Sequence, residues 1–201
     1  MGINFAGLHR GEIVQQIELG KQLTSFSQAD VEEWLGSLEK RTRQLGGSTQ
    51  RLSSTELKLT IPFANAEQLE AKFNRFFNPK RGSNSELVQL KSHLSANQNN
   101  FLLLQRTYLQ FTLDLTALGT IKGQNSRFIG GNSLLDLQFH LQSPGGMRII
   151  NQNSSAESDQ GAVWYLQPGE SNEIEVVFWA IEPLGWGAIA IIVMVYMGIW
   201  I

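Results

Sequence analysis

The last eighteen residues are the feature that most restricts how this chain can fold. The run LGWGAIAIIVMVYMGIWI at residues 184–201 contains no charged side chain. A helix of this length rises about 27 Å, close to a hydrocarbon thickness of about 30 Å. Trp186, Tyr196 and Trp200 lie near its ends, where interfacial anchors are found. The run therefore predicts one transmembrane helix at residues 183–201, and a buried core element is the alternative.

Composition limits what residues 1–182, the predicted ectodomain, can do. The net charge of −2 argues against a nucleic-acid binder, because such domains usually need a strongly basic face. The chain contains no cysteine, which excludes disulfides and thiolate metal sites. A chain of this length can bury a sizeable apolar core. We therefore expect an α+β ectodomain that is held together by its own packing and carries no cofactor.

Apolar periodicity predicts the order β-β-α-β-α for the first half of the chain. One helix is expected to begin at Ser27 as its N-cap and to end at Gly46-Gly47. A second helix is expected to begin at Asn65, with Gln68 three residues on, and to end before Asn78-Pro79. Alternation of apolar and polar residues predicts strands at residues 2–8, 11–19 and 57–63, with a short added strand at residues 48–53.

The second half is predicted to be rich in strands. Residues 78–100 are polar and rich in serine and asparagine, which predicts a mobile polar excursion. The runs at residues 163–167 and 173–180 flank the turn dipeptide Pro168-Gly169 and predict a last hairpin. The predicted fold class is α+β: a mixed or antiparallel sheet with two helices in the first half, a β-rich second half and one C-terminal transmembrane helix.

The residues that could carry chemistry are scattered along the chain. His9, His93 and His140 lack the i, i+4 spacing of a zinc site on a predicted helix. His140 lies on the polar face of a predicted strand, where a solvated side chain is the commoner role. Neither a G-x-S-x-G elbow nor a phosphate-binding glycine loop occurs in the sequence. The sequence therefore predicts no catalytic, metal-binding or cofactor-binding residue.

Basic residues cluster near the C-terminal ends of the two predicted helices. The helix dipole stabilises cations there, which is the structural explanation. Contact with anionic lipid headgroups is the functional alternative, at about 1 kcal/mol for each basic residue near the surface. The candidate lipid-contact residues are Lys40, Arg41, Arg43, Arg51, Lys72, Arg75, Lys80 and Arg81.

Several short motifs resemble one uncharacterised family. They are GEIVQQ at residues 11–16, RQLGG at 43–47, IPF at 61–63, FNRFFNP at 73–79, SLLDL at 133–137, Trp164-x-Leu166-x-Pro168-Gly169, and VFW at 177–179. The family consists of cyanobacterial membrane-anchored, lipoprotein-like proteins and is distantly similar to the actinobacterial LppM lipoprotein domain. The resemblance implies an α+β ectodomain on the periplasmic or thylakoid-lumen side, with no established enzyme activity and a link to lipid handling.

These features predict a membrane-tethered, non-catalytic binding or accessory module at the envelope or thylakoid membrane. Its expected partners are the lipid bilayer and a protein of a membrane complex, and not nucleic acid. The alternative is an envelope enzyme that acts on a lipid or peptidoglycan-like substrate through carboxylates.

The predicted location is a membrane, with the domain on the periplasmic or thylakoid-lumen side. The charge pattern favours this side, because no lysine or arginine lies between Arg148 and the apolar run. The prediction requires an export signal, with a lipidated cysteine, before Met1. A cytoplasm-facing tail anchor is the alternative.

Overall fold

The computed structural model describes residues 1–7, 10–18, 28–78, 91–116, 137–151, 156–158 and 161–199. Within these ranges it contains three helices and eleven strands. The helices are α1 (Gln28–Gln44), α2 (Ala66–Phe77) and α3 (Pro183–Ile199). The strands are β1 (Gly2–Gly7), β2 (Arg10–Glu18), β3 (Ser48–Arg51), β4 (Glu56–Phe63), β5 (Lys91–Phe101), β6 (Leu104–Asp114), β7 (Gln138–Gln142), β8 (Met147–Asn151), β9 (Ala156–Ser158), β10 (Gly161–Tyr165) and β11 (Ser171–Ile181).

The strands form two sheets. Sheet A has seven strands in the order β3-β4-β2-β1-β7-β10-β9. Its neighbouring strands are antiparallel, except that β1 and β7 run parallel. Sheet B is antiparallel, with the order β5-β6-β11-β8. Because the chain passes back and forth between the sheets, neither sheet is built from one half of the sequence alone.

Aromatic side chains from both sheets meet in one apolar core. The rings of Phe111 in β6 and Phe139 in β7 are stacked, with centroids 4.7 Å apart. The rings of Phe5 in β1 and Phe178 in β11 also lie 4.7 Å apart. Such pairs contribute about 0.5–1.5 kcal/mol beyond the burial of their area. These contacts therefore fix the two sheets to each other.

Helix α2 begins and ends where the local sequence predicts. The Asn65 side chain accepts a hydrogen bond from the Gln68 N–H at 2.8 Å, which confirms the predicted N-cap. The Gln68 side chain accepts in turn from the Ala64 N–H at 3.1 Å. Helix α1 ends as predicted too, because Gly46 has a positive φ of 74°, the left-handed conformation of a C-terminal glycine. The predicted N-cap of α1, Ser27, lies outside the described residues.

Side chains of α2 cover the outer edge of sheet B, where β5 is the edge strand. Asn78 donates to the Ser92 carbonyl, Asn74 bonds both main-chain groups of Leu94, and Glu70 accepts from the Ala96 N–H. Residues four apart in a helix advance about 6.0 Å, and residues two apart in a strand advance about 6.6 Å. These two spacings are nearly equal, so a row of helix side chains can hydrogen-bond the main-chain groups at the edge of β5. Without these bonds, the edge would be open to pairing with another strand.

The predicted last hairpin is wrong, and the single predicted sheet is two sheets. Strand β10 belongs to sheet A and β11 to sheet B, so the Pro168-Gly169 turn carries the chain from one sheet to the other. The Gly169 N–H donates to the Leu115 carbonyl at 3.0 Å. The Asn172 side chain bonds both main-chain groups of Gln167, at 2.8 and 3.1 Å. The Asn172 contacts are local to the turn, whereas the contact with Leu115, directly after β6, directs the chain into sheet B.

The polar stretch at residues 78–100 also differs from the prediction of a mobile excursion. Its last part belongs to β5, which begins at Lys91, while residues 79–90 lie outside the described residues. Polar side chains are tolerated in β5 because one face of the strand is exposed and its outer edge is bonded by α2.

The predicted transmembrane helix is wrong, whereas the α+β part of the prediction is confirmed. Helix α3 contains 17 residues, which rise about 25 Å against a hydrocarbon thickness of about 30 Å. Among the described residues, none of the helices combines the length and the apolar character that crossing a membrane requires. Trp200 and Ile201, which the sequence estimate included, lie outside the described residues.

Candidate functional site

The histidines that the structure describes do not form a metal centre. His140 is exposed on β7, and its Nε2 lies 3.0 Å from the Gln138 side-chain oxygen. Partial burial, with a smaller contribution from the N-terminal ammonium, lowers the pKa of His140. His93 is exposed on β5, and His9 lies outside the described residues. In the part of the chain that is described, no three histidine or carboxylate side chains are grouped so that they could hold a metal ion.

One group of polar side chains lies on the outer face of sheet B. The Gln110 side chain donates to Glu173 at 2.9 Å and to Glu175 at 3.4 Å. Desolvation and a hydrogen bond with Glu175 raise the pKa of Tyr108. Glu173 is exposed and Glu175 is half-buried. This group is a cross-strand network of the kind that stabilises an open sheet face.

Three of the candidate lipid-contact residues are engaged by acids or main chain near α1. Arg51 binds Glu39 at 2.5 Å and Glu32 at 2.6 Å, and these hydrogen bonds raise its pKa. Arg43 also binds Glu39, at 3.3 Å. Arg41 is half-buried and donates to the Phe76 carbonyl at the end of α2 at 3.1 Å. The C-terminal ends of α1 and α2 are thus close together. The arginines near them mostly bind other parts of the protein.

The other candidate lipid-contact residues lie on or near α2 and at the end of α1. Lys72 donates to the Pro62 carbonyl at 2.6 Å. Lys40 and Arg75 are exposed. Lys80 and Arg81 lie outside the described residues. The role of these side chains in lipid contact stays a prediction.

Helix α3 presents the most unusual surface of the described structure. Large apolar side chains are exposed along it: Leu184, Trp186, Ile191, Ile192, Val193, Met194, Val195, Tyr196, Met197 and Ile199. Residues 191–197 are exposed without interruption. Successive residues turn by about 100° around a helix, so this run covers every side. An apolar surface of this kind usually marks a contact with a partner or a lipid.

The start of α3 is held against the turn between β5 and β6. The Glu182 N–H donates to the Leu103 carbonyl at 2.9 Å. Gly185 is the one buried residue of α3, because it packs directly on the main chain of Leu102. A hydrogen bond and a glycine contact therefore fix where the helix leaves the domain.

The structure places two of the three predicted anchors on this surface. Trp186 is 52% exposed near the start of α3, and Tyr196 is 63% exposed near its end. Trp200 lies outside the described residues. Sequence reasoning missed Gly185 and the run FLLL at residues 101–104, four apolar residues between Asn-Asn and Gln-Arg. Such a run between polar residues, at the turn of a hairpin, is the signal that could have identified this part of the surface.

Comparison with known proteins gives a family and one similar solved structure. The NMR structure of the folded domain of the LppM protein of Mycobacterium tuberculosis is similar over 90% of this chain and 88% of that chain, with 13% sequence identity and a TM-score of 0.45. No curated protein matches the chain. The DUF3153 family, which is described as a protein of unknown function, matches residues 1–201, and this chain therefore belongs to that family.

Proposed function

We propose that this chain is a non-catalytic accessory module that associates with a membrane through α3. The observation that carries the proposal is the exposure of residues 191–197 on all sides of the helix. Transfer of one large aliphatic side chain out of water is favourable by about 1.5–3 kcal/mol, so covering this run contributes on the order of 10 kcal/mol. An apolar environment that surrounds the helix would supply this free energy.

Lipid fits α3 better than a groove on another protein does. A helix that docks in a groove has an apolar stripe and a polar opposite face. Residues 184–199 contain no charged side chain, so α3 has no face suited to water. Acyl chains can surround a helix on all sides, and Trp186, near the start of α3, suits the boundary between acyl chains and headgroups. We therefore propose that α3 inserts into the apolar layer from the side on which the domain lies, without crossing the membrane.

The non-catalytic part of the proposal is supported by what the polar side chains do. Glu39 binds two arginines, Glu70 bonds the edge of β5, and Arg41 bonds the end of α2. General acid–base catalysis needs groups that can reach a substrate proton. These side chains are instead tied to other parts of the fold.

Flotation with lipid vesicles tests the proposal. We expect the purified full chain to float with vesicles of phosphatidylcholine and phosphatidylglycerol. An Ile192→Asp substitution should weaken binding by about tenfold or more, because a carboxylate opposes transfer into the acyl layer. The matched control is Leu52→Asp, which also changes an exposed apolar side chain, 47% exposed, but in the β3–β4 turn. A wild-type chain that does not float, or equal binding by the two variants, would contradict the proposal.

A further inference from the structure

The end of sheet B nearest α3 is an apolar row. Phe101 of β5 lies opposite Leu104 of β6, and Leu104 lies opposite Ile181 of β11. These side chains are 60%, 44% and 66% exposed, respectively. Three adjacent strands thus each end in an exposed apolar residue, in one line across the sheet. We call this line, together with Leu102 in the turn, the end row.

Leu102 is held in a conformation that its side chain does not favour. It has a φ of 25°, in the left-handed half of backbone space, where a turn normally places glycine or asparagine. Its side chain is 74% exposed, so this conformation brings no burial in the core. Backbone strain kept at an exposed position often marks a functional constraint. In this turn, the strained backbone leaves the Leu102 side chain exposed on the surface.

The rows of side chains next to the end row, further along sheet B, are polar. The next row contains Asn100 and Gln105, which are cross-strand partners. On the same face as the end row, the following pair is Arg106 with the half-buried Trp179. Rows on one face of a sheet are about 6.6 Å apart. The end row is apolar, and an arginine and a tryptophan follow it within this distance. The same order of environments, from acyl chains to headgroups, occurs at a membrane surface.

The end row and α3 are parts of one fixed surface. The Glu182 N–H donates to the Leu103 carbonyl, and Gly185 packs on the Leu102 main chain. Ile181 of the end row precedes α3 by one residue, Glu182. If α3 enters a lipid layer, the end row is therefore carried to the surface of the same layer.

We propose that the end row inserts into the membrane surface beside α3 and so sets the depth and orientation of the domain. The proposal rests on the proposed function, because it takes the lipid contact of α3 as its starting point. The occupant is lipid because the surface is continuous with α3 and the exposed Arg106 behind it suits anionic headgroups.

Single-cysteine labelling tests the proposal, and the absence of native cysteine makes each label unique. Full-length variants Leu102→Cys and Phe101→Cys carry the environment-sensitive dye NBD. Ile192→Cys in α3 is the reference for the proposed function, and Leu52→Cys is the control. The second end-row variant covers the case in which Leu102→Cys disturbs the turn. Vesicles of phosphatidylcholine and phosphatidylglycerol are the probe.

The outcomes separate this inference from the proposed function. We expect blue-shifted, brighter emission on adding vesicles at positions 101, 102 and 192, with no change at position 52. A shift at position 192 alone would overturn the inference and leave the lipid contact of α3 standing. No shift at positions 101, 102 and 192 would overturn both.

Discussion

Replacing Gly185 with alanine is expected to separate α3 from the β5–β6 turn, whereas replacing Gly187 is expected to leave the contact in place. A Cβ atom on Gly185 would overlap the Leu102 carbonyl oxygen and lie 2.6 Å from its carbon. Main-chain atoms cannot rotate away as a side chain can, so either the helix or the turn must move. Such overpacking costs about 1–3 kcal/mol and occasionally more. Because Gly185 is the one buried residue of α3 and packs on this turn, we expect the helix to detach.

Gly187 is the matched control, because it lies in the same turn of α3 and a Cβ atom there would meet nothing within 4 Å. Alanine at this exposed helical position should be neutral or stabilising by up to about 1 kcal/mol. Hydrogen exchange of the Glu182 N–H reports the contact directly, since this group donates to the Leu103 carbonyl. We expect faster exchange in Gly185→Ala only. Equal exchange rates in the two variants would show that the glycine contact does not hold the helix.

Replacing Asn74 with alanine is expected to cause the largest loss of stability among surface changes in α2. Its side chain donates to the Leu94 carbonyl at 2.7 Å and accepts from the Leu94 N–H at 2.9 Å. Leu94 is fully buried, so alanine would leave two main-chain groups without these partners. Each buried group left unpaired costs about 1–3 kcal/mol. We therefore expect a loss of about 2–4 kcal/mol in the free energy of unfolding.

Urea denaturation of the two neighbouring variants Asn74→Ala and Arg75→Ala measures this loss. Arg75 is exposed on the same helix, and its replacement should change stability by no more than about 0.5 kcal/mol. A difference of less than about 0.5 kcal/mol between the variants would mean that the edge of β5 does not depend on α2. Aggregation of the Asn74 variant would agree with an uncovered strand edge.

Features that depend on a few neighbouring residues could be predicted from the sequence. The Asn65 cap uses the N–H of Gln68, three residues away, and Gly46 ends α1 by its own conformation. The alternation of apolar and polar residues along β6 likewise predicts which face of the strand is buried, without knowledge of the rest of the fold.

Features set by distant contacts could not be predicted in this way. The turn at Pro168-Gly169 has the composition of a hairpin turn, yet Gly169 bonds Leu115, directly after β6, so the chain continues into sheet B and does not pair with β10. Strand β5 could not be recognised because most of its side chains are polar, and the Asn74 and Asn78 side chains that bond its main chain lie elsewhere in the sequence. Only part of the surface around α3 could be predicted from the sequence. The apolar run was evident, but its contact with Leu102 depends on the position of the β5–β6 turn.

The central claim is that lipid covers α3, and electron paramagnetic resonance at a single nitroxide on Val195→Cys tests it most directly. Val195 is 58% exposed in α3, and the label would be read in the full chain bound to vesicles. Oxygen concentrates among acyl chains, whereas a nickel chelate stays in water. We predict that collisions with oxygen dominate at position 195, while collisions with the nickel chelate dominate at the Leu52→Cys control. Nickel-dominated collisions at position 195 would contradict the account.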